Sequence, residues 1–221
     1  MKKIAPSLLA ADFSKLGDEV SKISQSADWL HLDVMDGVFV PNISFGTDII
    51  KAVRKNCNLF FDVHLMIIDP IRYIEKFAEN GADLITFHYE SCNNHLDVIK
   101  KIKSFKKKVG ISIKPNTSIE VLEPLLPYID LILVMSVEPG FGGQKFLVQS
   151  LDKISSLRKT IDENKYDILI EVDGGINFET AILAGSAGVD VLVAGTSVFR
   201  ADDPHHAIQT LRKYSEGRTD K

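Results

Sequence analysis

Cysteine is scarce in this chain: among 221 residues only Cys57 and Cys92 carry thiols, far apart and without the close spacing of a metal-binding pair. That excludes a disulfide framework and fits a reducing compartment. Long apolar runs are missing too. No stretch reaches the ~18 residues that a membrane-spanning helix needs, and the N-terminal "MKKIAPSLLAADF" is broken by Pro6, Ser7 and Asp12 before it amounts to a signal core. The expectation is a soluble, cytoplasmic protein with no membrane partner. Blocks of one charge sign are absent as well. Lys and Arg number 26 against 30 Asp and Glu, a net −4, and the densest basic run, "KSFKKKVG" at 103–110, reads as a solvated helix end. Nothing in the charge pattern invites nucleic acid. No linker or low-complexity stretch divides the chain, so residues 1–221 read as one domain.

What the sequence does contain is alternation. Eight short β-rich runs recur from end to end: "KIAPSLLA", "WLHLDVMD", "LFFDVHLMI", "LITFHY", "KVGISIKP", "LILVMSV", "DILIEVDG" and "VDVLVAG". Helix-favouring segments lie between them. "DFSKLGDEVSKISQSA" opens at an Asp12 N-cap, and "DPIRYIEKFAENG" has Pro70 in its first turn and Gly81 at its stop. Strand and helix alternating eight times within this length predict parallel pairing and closure into a (β/α)8 (TIM) barrel, with an open doubly wound sheet as the alternative. A weak repeat accompanies the pattern: Asp28, Asp83, Asp130 and Asp190 each stand just before an even-numbered strand. Asp is common in short turns, and a duplicated architecture would produce the same spacing; both readings are open.

In "HLDVMDG" (31–37), His31, Asp33 and Met35 occupy every second position, so on a strand they share one face. "FFDVHLM" (60–66) repeats this with Asp62, His64 and Met66. In a barrel of this kind the C-terminal strand ends form the active site. Ser7 after strand one, His88 on strand four, Met135 on strand six and Asp173 on strand seven reach the same rim. A lone histidine there is more often a hydrogen-bonded core residue than a ligand. Two His and two Asp converging are different, because an apolar interior does not hold unpaired charge and a divalent cation would neutralise both carboxylates. Glycine-rich turns follow strands six, seven and eight: "EPGFGGQ" (138–144), "DGG" (173–175) and "AGTSVF" (194–199). Their backbone N–H groups suit a phosphate, and the last leads toward a helix N-terminus.

The motifs "APSLLAADF", "HLDVMDGVFVPNISFG", "DVHLM", "VEPGFGGQKF", "EVDGGIN" and "AGTSVF", in this order over nearly the whole chain, resemble the signatures of the ribulose-phosphate 3-epimerase family. The resemblance implies a barrel that binds one divalent metal ion per subunit, Zn²⁺, Fe²⁺, Mn²⁺ or Co²⁺, through His31, Asp33, His64 and Asp173. It implies Asp33 and Asp173 as the acid and base that interconvert D-ribulose 5-phosphate and D-xylulose 5-phosphate through a metal-stabilised enediolate, in the pentose phosphate pathway. Ser7, His64, Gly140, Phe141, Gly142, Gly143, Gly174, Gly175, Gly195 and Thr196 fall on its substrate contacts. Met35, Met66 and Met135 fall on the lining of the reacting centre. A homo-oligomer is implied as well. Two positions depart from the pattern, Lys114 and Glu138, where Asn is common. Alternatives are an epimerase of a hexulose phosphate such as allulose 6-phosphate, which tends to show Ala at Gly142, and a lyase of the related phosphate-binding barrels. Those decarboxylases carry D-x-K-x-x-D on strand three, and Asp62-Val63-His64-Leu65-Met66-Ile67 lacks its lysine and second acid.

Overall fold

The computed structural model describes residues 1–218; the end of the expected single domain, 219–221, lies outside them. Eight strands form one parallel sheet in chain order: β1 (Lys3–Pro6), β2 (Trp29–Met35), β3 (Phe60–Met66), β4 (Leu84–His88), β5 (Lys108–Ile113), β6 (Leu131–Met135), β7 (Leu169–Asp173) and β8 (Val191–Ala194). β8 returns to pair with β1, and a bridge between the ends of the sheet, β1 and β2, makes it a barrel rather than an open sheet. At the seam between β1 and β2 the ladder shrinks to one bridge, Ser7 to His31.

Helices α1 (Leu16–Ile23), α2 (Thr47–Arg54), α3 (Ile74–Glu79) and α4 (His95–Ser104) follow the first four strands, α5 (Ser150–Asn164) follows β6, and α6 (Phe178–Ala187) follows β7. Two, α7 (Thr196–Phe199) and α8 (Pro204–Ser215), come after β8. The alternation is incomplete in one place. β5 and β6 are joined by two 3₁₀ turns, Ile119–Leu122 and Leu126–Tyr128, with no α-helix. Pro115, Pro124 and Pro127 in this segment each remove a backbone donor and obstruct a helical turn. The two expected helix starts also differ in detail. Asp12 caps a 3₁₀ turn, accepting from the Ser14 N–H, and Pro70 opens another, so α1 and α3 begin only afterwards; such tight turns are frequent at helix N-termini.

Alternation along the strands creates two cores. Outward residues such as Leu30, Leu32, Phe61, Val63, Phe87 and Ile132 are sealed beneath the helices, each worth about 1.5–3 kcal/mol of apolar burial. Inward residues stack in layers. The lowest is apolar, with Trp29, Leu84 and Leu131 packed with Phe60 and Leu169. Above it the interior turns polar, which locates the chemistry.

The aspartate repeat has a physical basis. Asp28, Asp83, Asp130 and Asp190 each accept, at 2.8–2.9 Å, a hydrogen bond from the second residue of the preceding odd strand: Ile4, Phe61, Val109 and Ile170. Each also meets a cation, Arg212, Arg54, Lys108 and Arg158 respectively. One motif therefore ties strands in pairs at the base of the barrel four times.

Candidate metal centre

The parallel register of β2 and β3 sets His31 beside Asp62, Asp33 beside His64 and Met35 beside Met66. All six are buried and point inward. β7 supplies Glu171 and Asp173 from the other side of the ring. One nitrogen or oxygen from each of His31, Asp33, His64 and Asp173 lies within 4.8 Å of the others. His31 Nε2 is 3.3 Å from Asp33 Oδ1, 3.3 Å from His64 Nδ1 and 4.0 Å from Asp173 Oδ2, and His64 Nδ1 is 3.1 Å from Asp33 Oδ1. The four residues expected as ligands are thus brought together.

Neighbouring groups fix these side chains. Ser7 donates its hydroxyl to Asp33 Oδ2 at 2.6 Å, leaving Oδ1 for the cluster. The His31 ring has Nδ1 2.5 Å from Asp62 Oδ2, and Asp62 accepts from the Thr86 hydroxyl on its other oxygen. A carboxylate at Nδ1 keeps that proton in place, so Nε2 is the atom that would present a lone pair to a cation displacing its own proton. Gly110, opposite Thr86 on β5, makes room for that hydroxyl: a Cβ there would lie 2.2 Å from Thr86 Oγ1. The Asp173 carbonyl accepts from the Ser136 N–H and hydroxyl, which pins the end of β7.

The electrostatics ask for positive charge at the centre. Burial lowers the proton affinity of His31, but Asp33 and Asp62 outweigh it and raise the imidazole well above its ordinary value. Burial works to raise Asp33 likewise, yet His31 and His64 hold it far below the usual carboxylate range. Burial, followed by the Asp33 charge, pushes Asp173 up to about 6. Burial and the Asp62 charge push Glu171 upward as well, and neither of its oxygens has a hydrogen-bond partner. The donor set fits a divalent cation. Two imidazole nitrogens and two carboxylates suit borderline metals, and bonds of 2.0–2.2 Å imply ligand edges of about 3.4 Å, which the separations of 3.1–4.0 Å given above bracket.

Over the cluster opens a cleft of about 630 Å³. Its lining includes Ser7, Asp33, Asp173, Met35, Met66, Met135, Gly140, Phe141, Gly142, Gly143, Gly174, Gly175, Gly195 and Thr196, so every expected site residue except the two histidines reaches it; His31 and His64 lie buried in the floor. The rim turns need their glycines. Gly175 has φ +64, and a Cβ there would stand 2.4 Å from the Phe146 nitrogen. Asn42 donates to the Gly140 carbonyl, and Gln144 donates to those of Glu138 and Phe141, bracing the loop. Of the two departures, Glu138 is exposed and offers only this carbonyl, while Lys114 places Nζ 4.1 Å from the Phe39 ring centroid.

Sequence reading assigned no role to Asp62, Glu171 or Arg200. Asp62 shares the inward alternation of His64, and Glu171 stands two residues before Asp173, so both carried a detectable signal. Arg200 lines the cleft from beyond α7, and nothing in its sequence neighbourhood marks it.

The family model described as the ribulose-phosphate 3 epimerase family matches residues 3–199. A protein of Mycobacterium bovis named ribulose-phosphate 3-epimerase is 47% identical over 210 residues, covering 95% of this chain and 91% of that protein. One of the same name from Bacillus subtilis is 47% identical over 214 residues, covering 96% and 99%. Among solved structures, 3-keto-L-gulonate-6-phosphate decarboxylase from Vibrio cholerae superposes with a TM-score of 0.73 at 17% identity, covering 99% of each chain, a likeness of fold alone.

Proposed function

The chain belongs to the ribulose-phosphate 3-epimerase family, and on that premise we propose that it inverts carbon 3 of a pentulose 5-phosphate, interconverting D-ribulose 5-phosphate and D-xylulose 5-phosphate. The observation that carries the reading is the pair Asp33 and Asp173. They rise from β2 and β7, three strands apart around the ring, and face one cleft over a buried pair of histidines.

Inverting a carbon beside a ketone requires a proton to leave one face and another to arrive on the opposite face. A single base tends to return the proton where it came from. Asp33, held ionised by His31 and His64, acts as base on one face. Asp173, with the higher proton affinity, serves as acid on the other, and the roles exchange in the reverse direction. His31, Asp33, His64 and Asp173 would hold one divalent metal ion, whose charge, when bound, supplies Lewis-acid stabilisation to the oxygens beside the reacting carbon. Met35, Met66 and Met135 line the centre without donating or accepting strongly, which keeps water from competing. The phosphate group rests against the turns at Gly140–Gly143, Gly174–Gly175 and Gly195–Thr196. There, backbone N–H groups at the start of α7 lack intrahelical acceptors.

The same reading takes residues 1–221 as one catalytic domain of a cytoplasmic homo-oligomer in the pentose phosphate pathway. Among the described residues no helix is long and apolar enough to cross a membrane. A hexulose phosphate is the nearest competing substrate, because Gly142, where those epimerases tend to carry Ala, is a small difference. The lyase reading is disfavoured by His64 standing where those enzymes carry lysine. Assaying the purified chain on both pentulose 5-phosphates and on allulose 6-phosphate decides the matter. Turnover is expected on the pentuloses in both directions; preference for the hexulose would overturn the substrate, and decarboxylation of a keto-acid phosphate would overturn the reaction class.

A further inference from the structure

His88, the last residue of β4, is fully buried and plays no part in the proposed chemistry, yet it lies in a continuous line of hydrogen bonds. Its Nε2 is 2.9 Å from His64 Nε2, and its Nδ1 is 3.3 Å from Glu90 Oε2. Glu90 in turn receives on Oε1 the Lys114 N–H at 2.8 Å and the Thr117 hydroxyl. The Phe39 ring packs on His88 with centroids 4.8 Å apart, which restricts the imidazole to this plane.

We propose that His88 and Glu90 are positioning residues for His64, holding its ring in the tautomer that turns a bare nitrogen into the ligand cluster. The proposal rests on the reading of that cluster as a metal site. The direction of each hydrogen bond follows from what the groups can do. A carboxylate only accepts, so His88 Nδ1 carries the proton. Neutral His88 then has its lone pair on Nε2 and accepts, so His64 Nε2 must donate. Without a cation, Asp33 Oδ1 at 3.1 Å accepts from His64 Nδ1; with a cation in that proton's place, a His64 that donates from Nε2 turns a bare Nδ1 to the cluster, 3.3 Å from His31 Nε2. The two ligand histidines are thus oriented from opposite ends. Asp62 acts directly on His31 Nδ1, whereas Glu90 acts on His64 Nε2 through an intervening imidazole. Both arrangements aim a lone pair at the same point, one from Nε2 and one from Nδ1. A histidine buried only to fill space needs no such aligned pair of partners.

The test uses the full chain stripped of metal, with Co²⁺ alone as probe, titrated against a competing chelator and followed by its visible spectrum. Loss of an outer-shell partner typically weakens metal binding about 10- to 100-fold, and that loss is expected for His88→Phe. His88→Gln offers an amide oxygen to His64 and an amide N–H to Glu90, so it should restore most of the affinity. Glu90→Leu, which leaves the strand residue in place, serves if His88→Phe does not fold, and should weaken Co²⁺ in the same direction. Nitrogen-15 shifts of the His64 ring, measured with Zn²⁺ bound as a diamagnetic probe, give a second readout: one tautomer, protonated at Nε2 and coordinated through Nδ1, in the parent and in His88→Gln, and a mixture of Nδ1- and Nε2-coordinated rings in His88→Phe and Glu90→Leu. If His64→Ala loses Co²⁺ while His88→Phe and Glu90→Leu keep the parent affinity and tautomer, the positioning role falls and the metal reading stands. If His64→Ala binds Co²⁺ as tightly as the parent, the metal reading falls and takes this proposal with it.

Discussion

Ser7 and Asp33 are joined across the one weak seam of the barrel. Among the described residues Ser7 makes the only bridge between the β1 and β2 segments, to His31, and its hydroxyl reaches Asp33 Oδ2 at 2.6 Å. The residue that closes the ring therefore also decides which oxygen of Asp33 faces the cluster.

Ser7→Ala should accordingly reduce turnover without unfolding the protein. A hydrogen bond to a charged group contributes about 1.5–3 kcal/mol, so a loss of roughly 10- to 100-fold in kcat is expected, together with a thermal midpoint lowered by about 3–10 °C. Steady-state kinetics beside a melting curve checks this. Unchanged kcat would mean that the hydroxyl only fills the seam.

Asp173→Asn should separate the two proton transfers. Epimerisation is expected to stop, while Asp33 still exchanges the carbon 3 hydrogen of the epimer that presents it to that face. In heavy water, one pentulose phosphate should take up deuterium with retained configuration and the other should not. The variant must first be shown to keep its metal, since Asp173 is also an expected ligand and losing the ion silences both faces. Equal labelling of both epimers would point instead to one shuttling group.

The loop around Phe141 should lose protease sensitivity when phosphate or a substrate analogue binds. Phe141 is 55% exposed, and its loop is held chiefly by Asn42 and Gln144 side chains on carbonyls. A ligand seated against Gly140–Gly143 adds restraint where the backbone is least fixed. Cleavage unchanged at saturating ligand would show that the loop does not close on it.

The aspartates at the barrel base should behave as structural elements with no role in turnover. Asp190→Ala leaves the Ile170 N–H without its acceptor and Arg158 with Asp162 as its remaining carboxylate. A destabilisation of about 2–3 kcal/mol is expected from an unsatisfied, charge-assisted partner, with kcat of the folded fraction unaltered. Urea titration beside an activity assay reads both quantities.

Glu90 should contribute stability that acid removes. Burial alone would raise its carboxyl, but hydrogen bonds from His88, Thr117 and the Lys114 N–H hold it down to about 2, below an ordinary 4.5. Its contribution is therefore complete above pH ~4.5 and is lost as pH falls toward 2; discounted for partial solvent access it amounts to roughly 1–2 kcal/mol. In metal-stripped protein, the urea midpoint of the parent should exceed that of Glu90→Gln at pH 7, and the gap should narrow by pH 3. A gap independent of pH would remove the ionised carboxylate from the account.

The sequence displayed those parts of the molecule that depend on period and residue type. The alternation of His31, Asp33 and Met35 sets three side chains on one face whatever lies around them, so the floor of the site was legible once the strands were recognised. Connections were less so. The segment between β5 and β6 has helix-compatible residues such as Ile119, Glu120 and Leu122, and only the spacing of its prolines forbids an α-helix. Partners delivered by the connections were not legible. Glu90 reads as a loop acid, and its link to His88 exists because the segment after β5 folds back to deliver the Lys114 N–H and the Thr117 hydroxyl to it. Arg200 reaches the cleft only because α7 stops after one turn.

The four aspartate ties also bear on how such a chain can be rearranged. Each odd strand shares an aspartate with the even strand after it. For β3 and β7 the matching arginine sits on the helix just before, while β5 carries its own lysine and β1 draws on the terminal α8. A join placed in the loops after β2, β4 or β6 leaves each amide with its carboxylate, and in the quarters that begin at β3, β5 and β7 it leaves the cation with them; the first quarter alone takes its cation, Arg212, from the last. A join placed between an odd strand and its even successor severs one set. The barrel thus carries, at the end opposite its chemistry, a grammar for recombination: the three quarters after the first can be exchanged at the functional loops with their ties intact, while the first is bound to the last through Arg212 and Asp28.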